Sequence, residues 1–375
     1  MRVLQSFPSG RTTTNPYLVQ LAEQLAPEPE VLGFTWRRAL TAPYDVFHVH
    51  WPEALLHGTT AGRSRGKRLL FRVLLLRLWW RRHRTAVVRT VHNVQSHEDG
   101  GRGERALLAR FERRTTLWIR LNPTTEVPDG APVRTIMHGD YRAWFAATPV
   151  GASVPGRIVY FGLIRPYKGV PDLIETFTTL AVGPDGDALS LRVVGRPTTA
   201  DIGAEVTLAA LNDGRVTVSL GHATDAELAK EVTQAELVAL PYREMHNSGA
   251  AMLALSLGRP ILVPSNPVTE ALRIEVGRNW VFTYRGVLTA AHLSGALARC
   301  RAVQPLGQGA GPDLSERAWP VIADLHRDAY AAAAALVGGG PGPSGRRSEH
   351  PGVSGETPVD RRQIVEHSRS RTVLP

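Results

Sequence analysis

The sequence predicts an α/β protein in which two parallel-sheet domains face a central cleft, and three observations lead to that prediction. The chain has 375 residues, which suits two domains of ordinary size. Short apolar runs alternate with helix-compatible segments along the chain, as they do in parallel sheets with crossover helices. A segment with two prolines and adjoining glycines, residues 148–155, separates the alternating pattern into two halves.

The predicted strands are nearly continuous apolar runs, as expected for strands buried on both faces of a sheet. In the first half they are residues 2–7, 30–35, 45–50, 86–91, 117–121 and 133–137, and in the second half residues 157–161, 189–194, 215–220, 236–240 and 260–263. The pattern thus predicts an N-terminal domain over residues 1–150 and a C-terminal domain over residues 151–310.

The end of the chain changes in composition. Residues 311–337 have helical composition and are expected to pack back on the N-terminal domain. Residues 338–375 are rich in Gly, Pro, Ser and Arg and contain few large apolar side chains. Such a segment cannot bury enough surface to offset its ordering entropy, so we predict a disordered tail.

Composition narrows the functional class. A hydrophobic fraction of 43% supplies enough apolar material for two cores, and the single cysteine, Cys300, excludes an intrachain disulfide and fits a reducing compartment. The first ten residues lack the apolar core of a signal peptide, and no uninterrupted apolar run reaches about 18 residues. We therefore expect a cytoplasmic protein. Its net charge of +10 calls for nucleic acid, anionic lipid or a phosphorylated substrate.

Much of the positive charge lies in residues 63–84, where basic residues flank and punctuate an apolar core that ends near Trp79 and Trp80. This composition is typical of an amphipathic helix on an anionic membrane surface. We expect peripheral attachment to the inner face of the plasma membrane, weakened when Arg77, Arg81 and Arg82 lose their charge. The alternative is a core helix with one basic face.

Ligands of open parallel sheets bind beyond the carboxyl ends of strands, so residues there are the first candidates. Ser9 and Gly10 follow the first strand, and Asn15 opens a probable helix, which would let the backbone approach an anion or a sugar. A plain strand-to-helix turn is the alternative. His48 and His50 share one face of a strand, with no Cys or third ligand nearby, so a packed or hydrogen-bonded pair is favoured over a metal site.

His92 lies at the end of the fourth predicted strand, where a side chain meets the cleft. Because imidazole titrates near neutral pH, His92 could serve as a general base or hydrogen-bonding group on an acceptor hydroxyl. A structural histidine that caps the strand end is the alternative. Glu98 is a second catalytic candidate, and His97 and Asn15 are candidates for acceptor binding.

Two loops of the second half carry the pattern of an anion site. Arg165 and Lys168 lie in a glycine-bounded loop between a strand and a helix, which suits a diphosphate. Residues 242–249 precede a second helix, which Asn247 or Ser248 can cap, and its free N–H groups and dipole would face an anion. A solvated basic loop and an ordinary N-cap are the alternatives.

These pieces together resemble the GT-B superfamily, especially the retaining glycosyltransferases that use nucleotide sugars. The matching stretches are residues 44–50, Thr90 to Asn93, Gly162 to Gly169 and Gly258-Arg259-Pro260, in the family's order. The resemblance implies two Rossmann-like domains and a hexosyltransferase that acts on a glycan or lipid-linked acceptor in cell-surface or exopolysaccharide biosynthesis. The chain is also similar to bacterial exopolysaccharide β-mannosyltransferases.

The resemblance implies roles for particular residues. Arg165 and Lys168 would neutralise the leaving diphosphate of a UDP- or GDP-sugar, and His92 would contact the sugar or the acceptor. Tyr242, Asn247, Ser248 and Gly249 would form the donor loop, together with Ser9 and Gly10. Glu270 or Glu275 would hold a ribose hydroxyl. Such enzymes usually need no divalent metal or other cofactor, since their own cations stabilise the leaving group.

The sequence departs from the retaining pattern of two glutamates eight positions apart. The corresponding positions are Met245 and Leu253. The stereochemical outcome therefore cannot be carried over, and an inverting enzyme remains open. Other open functions are a nucleotide-sugar epimerase, which would act without an acceptor, and a non-catalytic nucleic-acid or sugar-binding protein. The basic residues cluster with leucines and no nucleic-acid module is present, so nucleic acid is not expected as a partner.

Overall fold

A computed structural model describes residues 1–8, 15–92, 101–148, 151–243, 245–303 and 311–338. Several predictions lie outside these residues. They are the site candidates Ser9, Gly10, His97 and Glu98, and the disordered tail from residue 339 onward.

The first half forms a six-stranded parallel sheet with the order β2-β1-β3-β4-β5-β6. Its order reverses between β1 and β3. The strands are β1 (Arg2–Gln5), β2 (Glu30–Leu32), β3 (Val46–Val49), β4 (Ala86–Val91), β5 (Leu117–Arg120) and β6 (Val133–Thr135). Its helices are α1 (Pro16–Leu25), α2 (Trp36–Thr41), α3 (Ala61–Trp80) and α4 (Arg102–Arg114).

The second half forms another six-stranded parallel sheet, with the order β9-β8-β7-β10-β11-β12. This is the dinucleotide-fold order, which reverses between β7 and β10. The strands are β7 (Arg157–Phe161), β8 (Ser190–Gly195), β9 (Val216–Leu220), β10 (Leu237–Ala239), β11 (Ile261–Pro264) and β12 (Val281–Tyr284). Its helices are α5 (Val170–Thr178), α6 (Ala200–Leu211), α7 (Asp225–Thr233), α8 (Gly249–Ser256), α9 (Pro267–Val276) and α10 (Ala290–Val303).

The two sheets with their helices confirm the predicted α/β fold class, and every predicted strand is present. The ends of β4 and β7 are as predicted, and the other strands differ by one to three residues at an end. The sequence analysis missed β12. Its four residues, Val281 to Tyr284, are β-branched or aromatic and lie between Gly277 and Gly286. So short a run cannot be separated from a loop by periodicity, and it becomes a strand because it pairs with β11.

The last described helix, α11 (Trp319–Gly338), packs against α1 and the first sheet. Trp319 lies directly on the backbone of Gly139, where a Cβ would come within 2.7 Å of its ring, and Trp319 Nε1 donates to the Asp140 carbonyl at 2.7 Å. Tyr330 Oη bonds His48 Nδ1 at 2.8 Å and accepts from Gln5 Nε2 at 3.2 Å. The chain therefore returns from its second half to close the core of the first.

Helix α3 coincides with the basic segment of residues 63–84 but has two apolar faces. Phe71, Leu74 and Leu78 are buried against the first sheet, whereas Leu76 and Trp80 are 64% and 76% exposed. No helix of the described part of the chain is long and apolar enough to cross a membrane.

Arg77, expected to reach lipid phosphates, turns inward instead. Its guanidinium donates to the carbonyls of Leu40, at 2.7 Å, and Ala42, at 2.5 Å, and lies 5.2 Å from the centre of the Tyr44 ring. Arg77 therefore supplies hydrogen-bond donors to the carbonyl groups at the end of α2. Its removal would test folding rather than lipid binding.

Replacing Tyr330 with Phe tests the attachment of α11. The ring stays, but His48 Nδ1 and Gln5 Nε2 lose their buried partner, and each unsatisfied group costs about 1–3 kcal/mol. We expect the free energy of unfolding, measured in urea, to fall by about 2–4 kcal/mol in Y330F. The control is Y284F, since the Tyr284 hydroxyl makes no hydrogen bond to a described residue. Equal losses in the two variants would contradict the prediction.

Candidate active site

Two loops meet at the switch point of the second sheet, where β7 and β10 lie side by side. Residues 162–169 follow β7 and residues 240–248 follow β10. The Arg243 amide donates to the Tyr167 carbonyl at 2.8 Å. Gly169 has a φ of 62°, and a Cβ there would lie 2.6 Å from the Pro241 carbonyl oxygen. Only glycine allows the two loops to pack this closely.

The side chains of Arg165 and Lys168 make no hydrogen bond or ion pair with another described residue. Lys168 Nζ lies 4.7 Å from the centre of the Tyr242 ring. Tyr242, which was predicted to bind the donor, is buried and instead supports the lysine side chain. Burial, followed by the charge of Arg165, lowers the pKa of Lys168 to about 8. Two neighbouring cations without a counter-charge form a site for an anion.

The N-terminus of α8 adds further hydrogen-bond donors to the site. Ser248 Oγ accepts from the Ala251 amide at 3.2 Å and caps the helix. The amides of Gly249 and Ala250, which precede the first helical hydrogen bond, have no partner among the described residues. Such a helix end favours a phosphate group.

Two residues missed by the sequence analysis border this helix end. A Cβ on Gly249 would lie 3.3 Å from Tyr141 Oη and 3.9 Å from His138 Nε2. His138 follows β6, so the rule that favours strand ends could have found it. Tyr141 lies beyond that strand end, and only the packing of the second half against the first brings it to Gly249.

Asn247 joins the two sides of the cleft through its side chain. Its Oδ1 accepts from Asn122 Nδ2 at 2.6 Å, and its Nδ2 donates to the His92 carbonyl at 2.9 Å. Asn122 follows β5 and His92 follows β4, so the loop before α8 is tied to two strand ends of the first sheet. The side chain of Asn247 is therefore occupied, and only its backbone is free for a ligand.

The histidines of the first sheet form a buried hydrogen-bonded cluster, as the sequence analysis favoured. His48 is saturated, because its Nδ1 bonds Tyr330 and its Nε2 bonds Thr90 Oγ1 at 2.8 Å. His50 Nδ1 bonds His92 Nε2 at 2.9 Å, whereas His50 Nε2 is buried without a partner among the described residues. His92 also stacks on Trp51, with ring centres 4.1 Å apart.

The environment of His92 differs from the expected titration near neutral pH. Burial, with smaller contributions from His138 and His326, lowers the pKa of His92 to about 3, so the imidazole is neutral at physiological pH. A buried N–H without a partner is rarer than a buried acceptor without one, which favours His50 Nδ1–H as the donor to His92. His92 then carries its own proton on Nδ1, which bonds to no described residue.

Three other predicted site residues already have hydrogen-bond partners in the structure. Glu275 is held by Arg317 through two bonds, at 2.5 and 2.7 Å, so its carboxylate is already occupied. Glu270 is half-buried in the first turn of α9, where its Oε1 accepts from Ser265 Oγ at 2.8 Å and its Oε2 pairs with Arg273 at 3.1 Å. Asn15 caps α1 by accepting from the Tyr17 amide at 3.0 Å. Both carboxylates are thus engaged by an arginine, and Glu270, with 37% of its side chain exposed against 23% for Glu275, is the more accessible of the two.

Comparison with known proteins identifies the family. A GDP-mannose:glycolipid 4-beta-D-mannosyltransferase of Xanthomonas campestris pv. campestris is 44% identical over 333 residues, which cover 88% of this chain and 91% of the relative. A second protein of that name and organism is 43% identical over the same shares. This chain belongs to their glycosyltransferase family. No family model matches the sequence of the transferase.

Solved structures show the same fold. HepE of Anabaena, in complex with UDP and glucose, matches 90% of the transferase with a TM-score of 0.53 at 14% identity, over 97% of its own chain. AviGT4, a glycosyltransferase of avilamycin A biosynthesis, matches 90% of it with a TM-score of 0.51 at 16% identity, over 98% of its own chain. The predicted GT-B architecture is thereby confirmed.

The two positions of the paired glutamates are occupied by apolar residues that pack into the core of the second half. Met245 is 3% exposed within the core of the second half, and its carbonyl accepts from Asn266 Nδ2 at 2.8 Å. Leu253 is packed against the same core. Glu244 lies outside the described residues. Within the described ranges, no group of three or more His, Cys, Asp and Glu residues is arranged to hold a metal ion.

Replacing Asn247 with Ala tests its bridge across the cleft of the transferase. Two hydrogen bonds between the halves are lost, so the loop before α8 should open more often. We expect faster hydrogen–deuterium exchange of the amides in residues 245–252. His246, an exposed neighbour without a hydrogen bond to a described residue, provides the control H246A. Unchanged exchange in N247A would show that the bridge does not hold the loop.

Proposed function

We propose that this transferase moves a mannosyl group from GDP-mannose to a hydroxyl of a glycolipid, in cell-surface or exopolysaccharide biosynthesis. The names of its relatives supply the donor and the acceptor class. The observation that carries the proposal is the meeting of Arg165, Lys168 and the free N-terminus of α8 around one loop pair. Their positive charge is suited to a nucleoside diphosphate.

The leaving diphosphate gains negative charge as the glycosidic bond breaks. The guanidinium of Arg165, the ammonium of Lys168 and the amides of Gly249 and Ala250 are already in place to stabilise it. These groups can supply the charge that a divalent metal supplies elsewhere, so we propose metal-independent transfer. Glu270, in the first turn of α9, is the candidate for a ribose hydroxyl.

The sugar end of the site supports an inverting reaction. The relatives are named for the β-linkage that they form, and the two glutamates of the retaining pattern are replaced by Met245 and Leu253. In one displacement, the acceptor oxygen bonds to the anomeric carbon, the bond to the diphosphate breaks, and a base takes the hydroxyl proton. The anomeric configuration of the product, measured by NMR, checks this assignment.

His92 is better suited to form a hydrogen bond than to act as the general base that takes up a proton. Its depressed pKa keeps the ring neutral, and its Nδ1 is free to bond a hydroxyl of the sugar or acceptor. His50 positions the ring from behind. Glu98 remains the second candidate for the base, in agreement with its place shortly after β4 in the sequence.

Replacing Lys168 tests the proposed donor site. We expect GDP, rather than UDP, ADP or TDP, to raise the melting temperature of the wild type, because a ligand stabilises the state that it binds. In K168A the loss of a charged hydrogen bond should weaken GDP binding roughly 10- to 100-fold. Titration calorimetry measures the affinities. No stabilisation by any of the four nucleotides would overturn the donor assignment.

The depressed pKa of Lys168 also predicts a pH dependence. The free lysine loses its charge as pH rises through about 8, while a bound diphosphate favours the charged form. GDP affinity should therefore be highest below that value and fall from about pH 7 to about pH 9. In K168R the charge persists, so the fall should flatten. A parallel fall in K168R would exclude Lys168 as its source.

We further propose that the acceptor is reached from a membrane surface, with the enzyme peripheral on the cytoplasmic face. The outward face of α3 supports this proposal. Five of its apolar residues are between 45% and 76% exposed and follow helical spacing, namely Leu69, Val73, Leu76, Trp79 and Trp80. Arginines of α3 and of the turn after it flank this face, as in helices that lie in the interface of anionic membranes.

The double variant L76S/W80S tests the outward face. It removes two exposed apolar side chains that contribute nothing to the core, and we expect binding to anionic vesicles to fall roughly 10-fold or more in flotation. The control is L208S/L211S, which removes exposed leucines, 64% and 75% accessible, from α6 of the second half. Equal flotation of both variants would remove the membrane assignment.

A further inference from the structure

Helices α3 and α4 form a groove whose lining combines cations with hydrocarbon. The groove has a volume of about 420 Å³, which lies within the range of sites for small ligands. Its polar wall consists of Arg72, Arg110, Arg113 and Arg114, and its apolar wall of Leu75, Leu76 and Trp79. None of the described residues that line it is acidic.

Three of these arginines have no counter-charge among the described residues. Arg72, Arg110 and Arg113 are exposed and have no hydrogen bond or ion pair with another described residue. The nearest acidic residues on α4 are already engaged. Glu104 bonds His57 and Arg68, and Glu112 bonds Arg89. The groove thus holds a repulsive cluster of guanidinium groups that a bound anion would relieve.

The fourth arginine belongs to the floor of the groove. Arg114 donates to the carbonyls of Leu78, at 3.0 Å, and Thr85, at 2.7 Å, and thereby ties the end of α4 to the end of α3. Burial, followed by the charge of Arg82, lowers the pKa of Arg114. The two helices are therefore held at a fixed separation, so the groove is a built feature of the fold.

The apolar wall indicates which anion fits. Leu76 and Trp79 line the groove and also belong to the outward face of α3. An anion in the groove therefore lies beside the surface that we assign to the membrane. A small free anion would leave this wall unused, whereas a phosphate joined to hydrocarbon would contact both walls.

We propose that the α3–α4 groove binds the headgroup of an anionic membrane phospholipid. The guanidinium groups of Arg72, Arg110 and Arg113 bond its phosphate oxygens, as planar forks that match phosphate geometry. Its first methylene groups lie against Leu75, Leu76 and Trp79. This inference rests on the proposed action at a membrane surface and adds one defined lipid site, contributed in part by α4.

A short-chain lipid below its micelle concentration tests the site without a membrane. We expect dihexanoyl phosphatidylglycerol to bind the wild-type enzyme in titration calorimetry, and neither dihexanoyl phosphatidylcholine nor inorganic phosphate to match it. Equal binding of inorganic phosphate would identify a plain anion site and overturn the lipid assignment. Equal binding of the zwitterionic lipid would show an apolar site instead, and no binding of any of the three would also overturn the proposal.

Two variants of α4 separate a built site from diffuse charge. R110Q/R113Q removes two charges, and R110K/R113K keeps them but loses the planar fork. We expect R110Q/R113Q to bind the short-chain anionic lipid roughly 10- to 30-fold more weakly, with R110K/R113K intermediate. The control R134Q/R278Q removes two exposed arginines, one from each half, and should bind as the wild type does. If R110K/R113K bound the lipid as tightly as the wild type, diffuse charge attraction alone would account for binding, and the proposed site would be overturned.

Binding of GDP distinguishes failure of this inference from failure of the proposed function. The cleft residues are unchanged in the α4 variants, so each should retain the thermal shift of the wild type with GDP, which also verifies folding. If GDP stabilises the wild type but the lipid does not bind, only the groove assignment fails. If the lipid binds and GDP does not, the donor assignment fails and the groove remains.

Discussion

Strand order reverses between β7 and β10, and the geometry of the candidate diphosphate site follows from this reversal. Chain connections leave this point toward opposite faces of the sheet, so the two loops open a crevice at the strand ends. Gly169 lets the loops approach, and the contact between Arg243 and Tyr167 holds them together. The cations and the helix N-terminus then face the same space without neutralising each other.

The first half contributes a buried polar cluster rather than a second set of charges. Tyr330 of α11 bonds His48, whose ring centre lies 4.2 Å from that of His50, and His50 bonds His92 at the cleft. Burial of these imidazoles lowers their pKa values and keeps them neutral. The same packing that completes the core thus sets the chemistry of His92, which suits hydrogen bonding. Asn247 ties this strand end to the loop before α8, so one side chain connects the two halves at the candidate site.

Positively charged side chains cluster at two separate places in the structure. Arg165 and Lys168 lie in the loop that follows β7, while Arg72, Arg110 and Arg113 lie on the outer surface of the first half. The arginines of α3 differ in their partners. Arg77 donates to the carbonyl groups at the end of α2, whereas Arg72 has no partner in the described part of the chain. Charge count alone could not separate these uses.

Apolar periodicity, glycine positions and strand-end chemistry are local signals, and they were enough to predict the α/β class, the two halves and the candidate loops around Lys168 and Ser248. The sequence also showed the loss of the paired glutamates at Met245 and Leu253. Tertiary packing, in contrast, pairs Glu275 with Arg317, takes Asn247 across the cleft, and brings His138 and Tyr141 close to Gly249. It likewise created the α3–α4 groove. These facts depend on contacts between residues far apart in the chain, and a pattern along one segment carries no information about which distant partner will occupy its side chains.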